Sequence, residues 1–231
     1  MERRHDLARR ARVHAALADE TRLQVVDLLA VGDLAPGELA GTLGVTSNLL
    51  AHHLKVLEVA GVVARRRSEG DARRTYVTLL ADAAEPGVRP APRVVFVCTH
   101  SSARSHLAAV ALSRAVGVPT ASAGTEPAAE VHPGAVAVAA RHGLDLGGRT
   151  PAHVDDVLRE GDLVVAVCDS AYESSLAAAR PVDLHWSVPD PVRTGDEAAF
   201  EGAFADISAR VDRLGRALTG SRRRPTRSTS P

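Results

Sequence analysis

The sequence predicts an α/β chain in two parts: a winged helix-turn-helix domain over residues 1–80 and a small doubly wound parallel sheet over residues 93–218. Three observations carry this. Helical apolar spacing, a Gly-containing turn and an Arg-studded hairpin follow one another in the first part. An Ala- and Pro-rich stretch with little periodicity, residues 81–92, reads as a linker. From Arg93 onward, short β-branched runs alternate with Ala- and Leu-rich helical stretches. A length of 231 residues leaves room for two ordinary domains.

In the first part, His14–Leu17 and Asp19–Ala30 read as helical. Leu23, Val26 and Ala30 fall at helical spacing, and Val25, Leu28 and Leu29 widen that face. Gly32-Asp33 breaks the helix. Pro36-Gly37 introduces a short helix, Glu38–Leu43, and Gly44 makes a turn. Thr46 or Ser47 caps a second helix running to about Val59, which Gly61 ends. Thr46, Ser47, Asn48, His52, His53 and Lys55 give that second helix a polar face suited to base edges and phosphates. Val62–Arg67 and Arg73–Leu79 read as two strands around Glu69-Gly70-Asp71. Their Arg65, Arg66, Arg67, Arg73 and Arg74 suit phosphate contacts, which add affinity and salt dependence rather than sequence choice. The plainer alternative is a small helical domain with no nucleic acid to bind.

In the second part, Val94–Val97 reads as a buried strand ending at Cys98, and His106–Val116 as a helix. Thr120–Ala123, Leu163–Val167 and Asp183–Trp186 are further strands. Pro133 starts a helix through His142, and Phe200–Leu218 closes the fold. The Arg-, Ser- and Pro-rich tail, 219–231, is expected to be disordered.

The chemistry concentrates between Cys98 and Ser105. A loop running from a strand into a helix N-terminus aims backbone N–H groups inward and suits a tetrahedral oxyanion. Thr99, His100, Ser101, Ser102 and Ala103 would form that loop. Arg104 offers a planar fork to two oxyanion oxygens. The same positive field favours the thiolate of Cys98, the candidate nucleophile, and Ser105 can donate a hydroxyl to it. The plainer alternative is a buried Cys beside a surface Arg.

Ser102-Ala103-Arg104-Ser105, with Cys98 ahead of it, resembles the loop of low-molecular-weight protein tyrosine phosphatases and the arsenate reductases that share their fold. Ser122-Ala123-Gly124, His132-Pro133, Gly143-Leu144-Asp145-Leu146 and Val188-Pro189-Asp190-Pro191 follow in family order. The resemblance implies a general-acid role for Asp190, because an unprotonated leaving oxygen departs poorly; otherwise Asp-Pro merely starts a turn. Val192-Arg193-Thr194 stand where phosphatases place aromatic residues for a phosphotyrosine ring, which favours arsenate or another small oxyanion. His100 stands where the family has Gly and Ser101 where it has Asn, so a less preorganised loop is expected. Cys168 is either a redox partner for Cys98 or a small buried hydrophobe at a strand end. No thiol stands a little beyond it in Ala171-Tyr172-Glu173-Ser174-Ser175, so an external thiol or thiol-disulfide reductant is expected. No bound cofactor is expected.

Ala16–Leu23, Gly37-Glu38-Leu39-Ala40 and His52–Leu57 with Ala60-Gly61 resemble the ArsR family of winged-helix repressors. That resemblance implies a homodimer on double-stranded operator DNA. The family's usual Cys pair near the turn motif is absent, since Leu34-Ala35-Pro36-Gly37 stands there, and no metal site is expected.

Lys and Arg together number 28, as do Asp and Glu, so net charge alone argues for no partner. Local Arg clusters matter more where nucleic acid is concerned. No apolar run reaches membrane-spanning length, and two Cys, one in a reactive loop, fit a reducing cytoplasm.

Overall fold

The structure, a computed structural model, describes residues 2–80, 88–178 and 180–221. The chain divides into two units, 1–86 and 87–231, each with its own apolar core.

In the first unit, helices α1 (Glu2–Leu17), α2 (Glu20–Leu29), α3 (Pro36–Leu43) and α4 (Ser47–Val59) precede the antiparallel strands β1 (Val63–Arg67) and β2 (Thr75–Leu79). Asp19 caps α2 by accepting the Arg22 N–H at 2.9 Å, and Thr46 caps α4 by accepting the Leu49 N–H at 3.3 Å. Gly44 and Gly61 end α3 and α4 with left-handed backbone (φ 66° and 71°). Helix α1 begins far ahead of the expected His14. Its first turns carry mainly charged residues, and among its described side chains the core contacts come from Val13, Ala16 and Leu17, so the sequence offers no long apolar stripe there. Helix α2 buries Val25, Val26 and Leu29, while Leu23 is exposed. The buried stripe is thus rotated from the expected one.

The second unit is a parallel sheet with strand order β4-β3-β5-β6, built from β3 (Val94–Cys98), β4 (Thr120–Gly124), β5 (Leu163–Ala166) and β6 (Leu184–His185). Strand β3 is central and buried along its whole length, which is why it is all β-branched or aromatic before its terminal Cys. Val94 sits opposite Thr120 on one side and Leu163 on the other. The strand order changes direction beside β3, so the crevice where open α/β sheets bind ligands opens at its carboxyl end, at Cys98. Helices α5 (Arg104–Val116), α6 (Pro133–Arg141), α7 (Val154–Val157), α8 (Asp169–Ala177), α9 (Pro191–Thr194) and α10 (Glu197–Ser221) complete the unit.

Helices α7, α8 and α9 were not legible beforehand: two are single turns, and α8 is capped by Cys168 rather than by Ser, Thr, Asp or Asn. Helix α10 runs through Ser221, so residues 219–221 are helical; the rest of the expected disordered tail, 222–231, lies outside the described residues, as do residues 81–87 of the expected linker. The remainder of that linker is docked. Val88 and Ala91 pack on the second unit's core, and Arg89 makes paired contacts of 2.8 and 2.9 Å with Asp183. Among the described residues, no helix is long and apolar enough to cross a membrane.

At the start of β3, Arg93 grips Asp162 at 2.9 and 2.6 Å, and its guanidinium also donates to the Val157 carbonyl at 2.7 Å. Burial pushes the Asp162 carboxyl up, but Arg93 and the Arg159 N–H outweigh it and hold it below its ordinary value. Asp162→Ala leaves Arg93 without its counter-charge and is expected to destabilise the second unit by about 3 kcal/mol. Urea unfolding followed by fluorescence of Trp186, buried in that core, measures this. The stabilisation from Asp162 is present above the ordinary carboxylate range and lost as pH falls through the depressed folded value. The variant's stability should therefore vary less with pH in that acid range than the wild type's.

Candidate functional site

The segment between β3 and α5 is shaped by where its carbonyls go. Those of Cys98, Thr99, His100 and Ser102 accept hydrogen bonds from the N–H groups of Thr125, Glu126, Ala128 and His132. These partners all lie on the segment that follows β4. Across a trans peptide, N–H and C=O point in opposite directions, so tethering the carbonyls outward leaves loop N–H groups facing the loop's interior. The Ser101 N–H donates to Cys98 Sγ at 3.2 Å, and Ser105 Oγ lies 3.3 Å from the same sulfur. Helix α5 has no side-chain cap at Ala103, so its first amides remain available to a ligand.

Two further contacts fix the loop. Gly124 lies directly beneath it: a Cβ there would stand 2.7 Å from the Thr99 carbonyl oxygen and 3.0 Å from the Ser101 nitrogen. Ser101 has φ 47°, the one positive φ at a non-Gly residue among the described residues. That conformation costs a non-Gly residue about 1–2 kcal/mol, so neighbours must hold it. Ser101 Oγ lies 3.3 Å from His106 Nε2, and His106 Nδ1 lies 2.9 Å from Ser122 Oγ on β4. The loop expected to lack preorganisation is therefore braced, by residues of α5 and β4.

Arg104, in the first turn of α5, is buried. Its Nη1 donates to the Val188 carbonyl at 2.9 Å, and its Nη2 lies 3.1 Å from Asp190 Oδ2. The other Asp190 oxygen accepts the Val192 N–H at 3.2 Å and caps α9. Asp190 thus both starts a turn and faces the loop. The cavity lined by Cys98, His100, Ser102, Ala103, Arg104, Asp190 and Val192 measures about 20 Å³, the volume of roughly one water. Among the described residues, none of those lining it is Phe, Tyr or Trp.

The candidate DNA-contacting residues lie in the first unit. Thr46, Ser47, Asn48, His52 and Lys55 are exposed at the start and along one side of α4. His53 is a correction: it is buried, with Nδ1 3.5 Å from Asp19, because it shares the inward face with Leu50, Leu54 and Leu57. On the hairpin, Arg65 and Arg67 share an exposed face of β1, and Arg66 is half-buried on the other. Arg65 pairs with Glu58, Arg67 donates to the Ala72 carbonyl, and Arg73 and Arg74 contact Asp71. A phosphate would compete with these partners.

Residues 93–224 match the family of low molecular weight phosphotyrosine protein phosphatases. The chain belongs to the low molecular weight phosphotyrosine protein phosphatase family. The tyrosine phosphatase Wzb from Escherichia coli K30, solved with sulphate, shares its fold: TM-score 0.50 and 22% identity, over 55% of this chain and 99% of that one. An arsenate reductase from Archaeoglobus fulgidus aligns at 33% identity over 53% of this chain and 98% of its own, with a TM-score of 0.46. Ahead of the phosphatase-family unit, residues 19–65 match the arsR family of bacterial regulatory proteins. The HTH-type transcriptional regulator Rv2034 of Mycobacterium tuberculosis is 46% identical over 65 residues, 28% of this chain and 59% of that protein. The chain spans about three-fifths of the length of the curated relatives it matches.

Within the phosphatase-family unit, Cys168 has a structural task. Its Sγ accepts the Ala171 N–H at 3.4 Å and lies 3.6 Å from Thr99 Oγ1. Burial pushes its thiol up; Arg104 opposes this and Cys98 adds to it. Cys168 is therefore a protonated thiol in contact with the loop residue Thr99. Sequence reasoning missed His106, the seat beneath the loop at Gly124 and the tether over residues 125–132. His106 is the one imidazole in an Ala- and Leu-rich helix, which was the available signal. The tether is backbone and leaves no side-chain signature.

Gly124→Ala places a methyl against backbone on two sides. It should destabilise the second unit by about 1–3 kcal/mol and weaken inorganic phosphate binding, because the loop cannot keep its seat. Thermal unfolding and phosphate titration of the full chain measure both effects.

Proposed function

We propose that the chain is an operator-binding regulator fused to a thiol-dependent arsenate reductase, active as a homodimer in the cytoplasm. The observation that carries the enzymatic half is the loop itself: a thiol receiving a backbone N–H, an uncapped helix start, and an Arg–Asp pair closing a small site with no aromatic wall. These features favour a small inorganic oxyanion over a phosphotyrosine ring.

In this reading, loop amides and Arg104 hold the arsenate oxygens, and the Cys98 thiolate attacks arsenic. Asp190 donates a proton so that water departs, leaving a Cys98 sulfur–arsenic bond. A second thiol, Cys168 or an external small-molecule or protein thiol, then attacks the Cys98 sulfur. A disulfide forms, the sulfur–arsenic bond breaks, and arsenic leaves with the electron pair as arsenite. Arsenic gains two electrons and the two thiols lose them. An external reductant restores the thiols. No bound cofactor takes part.

The regulatory half rests on the arsR-family match and on the exposed residues Thr46, Ser47, Asn48, His52 and Lys55. These would meet bases and phosphates in double-stranded DNA, and Arg65, Arg66, Arg67, Arg73 and Arg74 would meet phosphates alone. A second reading, an oxyanion sensor without turnover, draws on the Arg104–Asp190 pair, which engages the guanidinium that would hold an anion.

Asp190→Asn separates the enzyme from the sensor. Removing the acid should lower arsenate turnover roughly 100-fold or more. Freeing Arg104 should tighten phosphate binding. Arsenite formation with added thiol, phosphoester cleavage and phosphate titration on the full chain read the three quantities. Turnover unchanged in Asp190→Asn removes its acid role; no turnover in the wild type, with DNA released on adding arsenate, makes the unit a sensor.

For DNA, replacing Arg65 and Arg67 together should weaken binding to specific and random duplexes alike and flatten the salt dependence. Replacing Asn48 should change the preferred sequence. Replacing the buried His53 should act through stability alone. Salt-series titrations of the full chain on promoter-derived and random duplexes test this.

A further inference from the structure

His106 belongs to no step above, yet it sits at the centre of the loop's support. It is 1% exposed and lies in the first turn of α5, one residue after Ser105. One ring nitrogen, Nε2, lies 3.3 Å from Ser101 Oγ, and the other, Nδ1, lies 2.9 Å from Ser122 Oγ. Ser101 is the residue held at φ 47° whose N–H points at the Cys98 sulfur. The chain of contacts thus runs from β4 through the imidazole to the loop residue that touches the nucleophile.

We propose that His106 is a positioning residue for the oxyanion loop: its imidazole ties Ser101 in its left-handed conformation to Ser122 and so holds the Ser101 N–H on Cys98.

Neutrality suits the task. A neutral imidazole offers one N–H and one lone pair. Each serine hydroxyl can donate or accept, so both arms are satisfied in either tautomer. Burial holds the His106 ring down at about 4, and the positive charge of Arg149 adds to this; a backbone hydrogen bond with Ser101 opposes them. The ring is thus uncharged around neutral pH and does not compete with an anion in the loop. Ser101 Oγ lies 3.3 Å from Nε2, and Ser122 Oγ lies 2.9 Å from Nδ1 and 3.4 Å from Nε2, so the ring links the loop to β4.

The inference rests on Cys98 lying in an anion-binding loop, but not on turnover, so its test uses binding and thiolate readouts. In the full chain, inorganic phosphate affinity is measured by calorimetry. The Cys98 thiolate is read as the ultraviolet thiolate absorbance that disappears in Cys98→Ser. His106→Leu and Ser101→Ala should each weaken phosphate binding about fivefold, the loss of one net hydrogen bond, and lower the thiolate signal at neutral pH. His106→Gln places its amide near the Nε2 position and keeps the Ser101 arm, so it should retain both readouts. His106→Asn reaches only the Nδ1 position, keeps the Ser122 arm alone, and should behave like His106→Leu. Equal losses in Gln, Asn and Leu variants would show that the ring only fills space and would overturn the proposal. So would wild-type values in Ser101→Ala, which leaves the core packing untouched and decides the matter if His106→Leu does not fold. Absent arsenate turnover with these differences intact would count against the reductase alone.

Discussion

The outward tethering of the loop carbonyls is the constraint on which the rest of the second unit depends. With the carbonyls of Cys98, Thr99, His100 and Ser102 bonded to the segment after β4, the loop presents N–H groups inward, where a sulfur anion or an oxyanion can receive them. This explains Gly124, since the tethered loop passes too close to β4 for a Cβ. It also explains why Ser101 tolerates a left-handed backbone: its alternative would turn its N–H away from Cys98. Preorganised amides of this kind need not reorient when charge develops, which is why they favour a transition state over a ground state.

Electrostatics completes the site. Arg104 is fully engaged by the Val188 carbonyl and Asp190, so the guanidinium that would hold an anion is held by an acid instead. An oxyanion entering the loop would offer Arg104 a partner of the same charge as Asp190.

The central strand, the reactive loop and the helix-turn-helix were legible in the sequence because each is written in side chains: a β-branched run ending in Cys, an Arg-Ser pair at a helix start, caps and glycines at turns. The start of α1 was not, since a helix with few core contacts shows no stripe. His53 was misassigned because a polar residue beside His52 looks like part of a polar face, whereas the helical turn carries it inward next to Leu54. The contact that braces Ser101 is not legible at Ser101 itself. Its side chain alone is a poor brace, and the compensating imidazole comes from a neighbouring turn that periodicity does not connect to it. The tether over residues 125–132 is pure backbone and lies beyond what residue types reveal.

Whether Cys98 is the nucleophile of an amide-lined oxyanion loop can be read by intact-mass and peptide mass spectrometry of the full chain, quenched after mixing with arsenate and a small thiol. A disulfide at Cys98, either to the added thiol or to Cys168, is expected to depend on arsenate and to be absent in Arg104→Ala. Arsenite formed while Cys98 remains an unmodified thiol throughout the time course would contradict that role for Cys98.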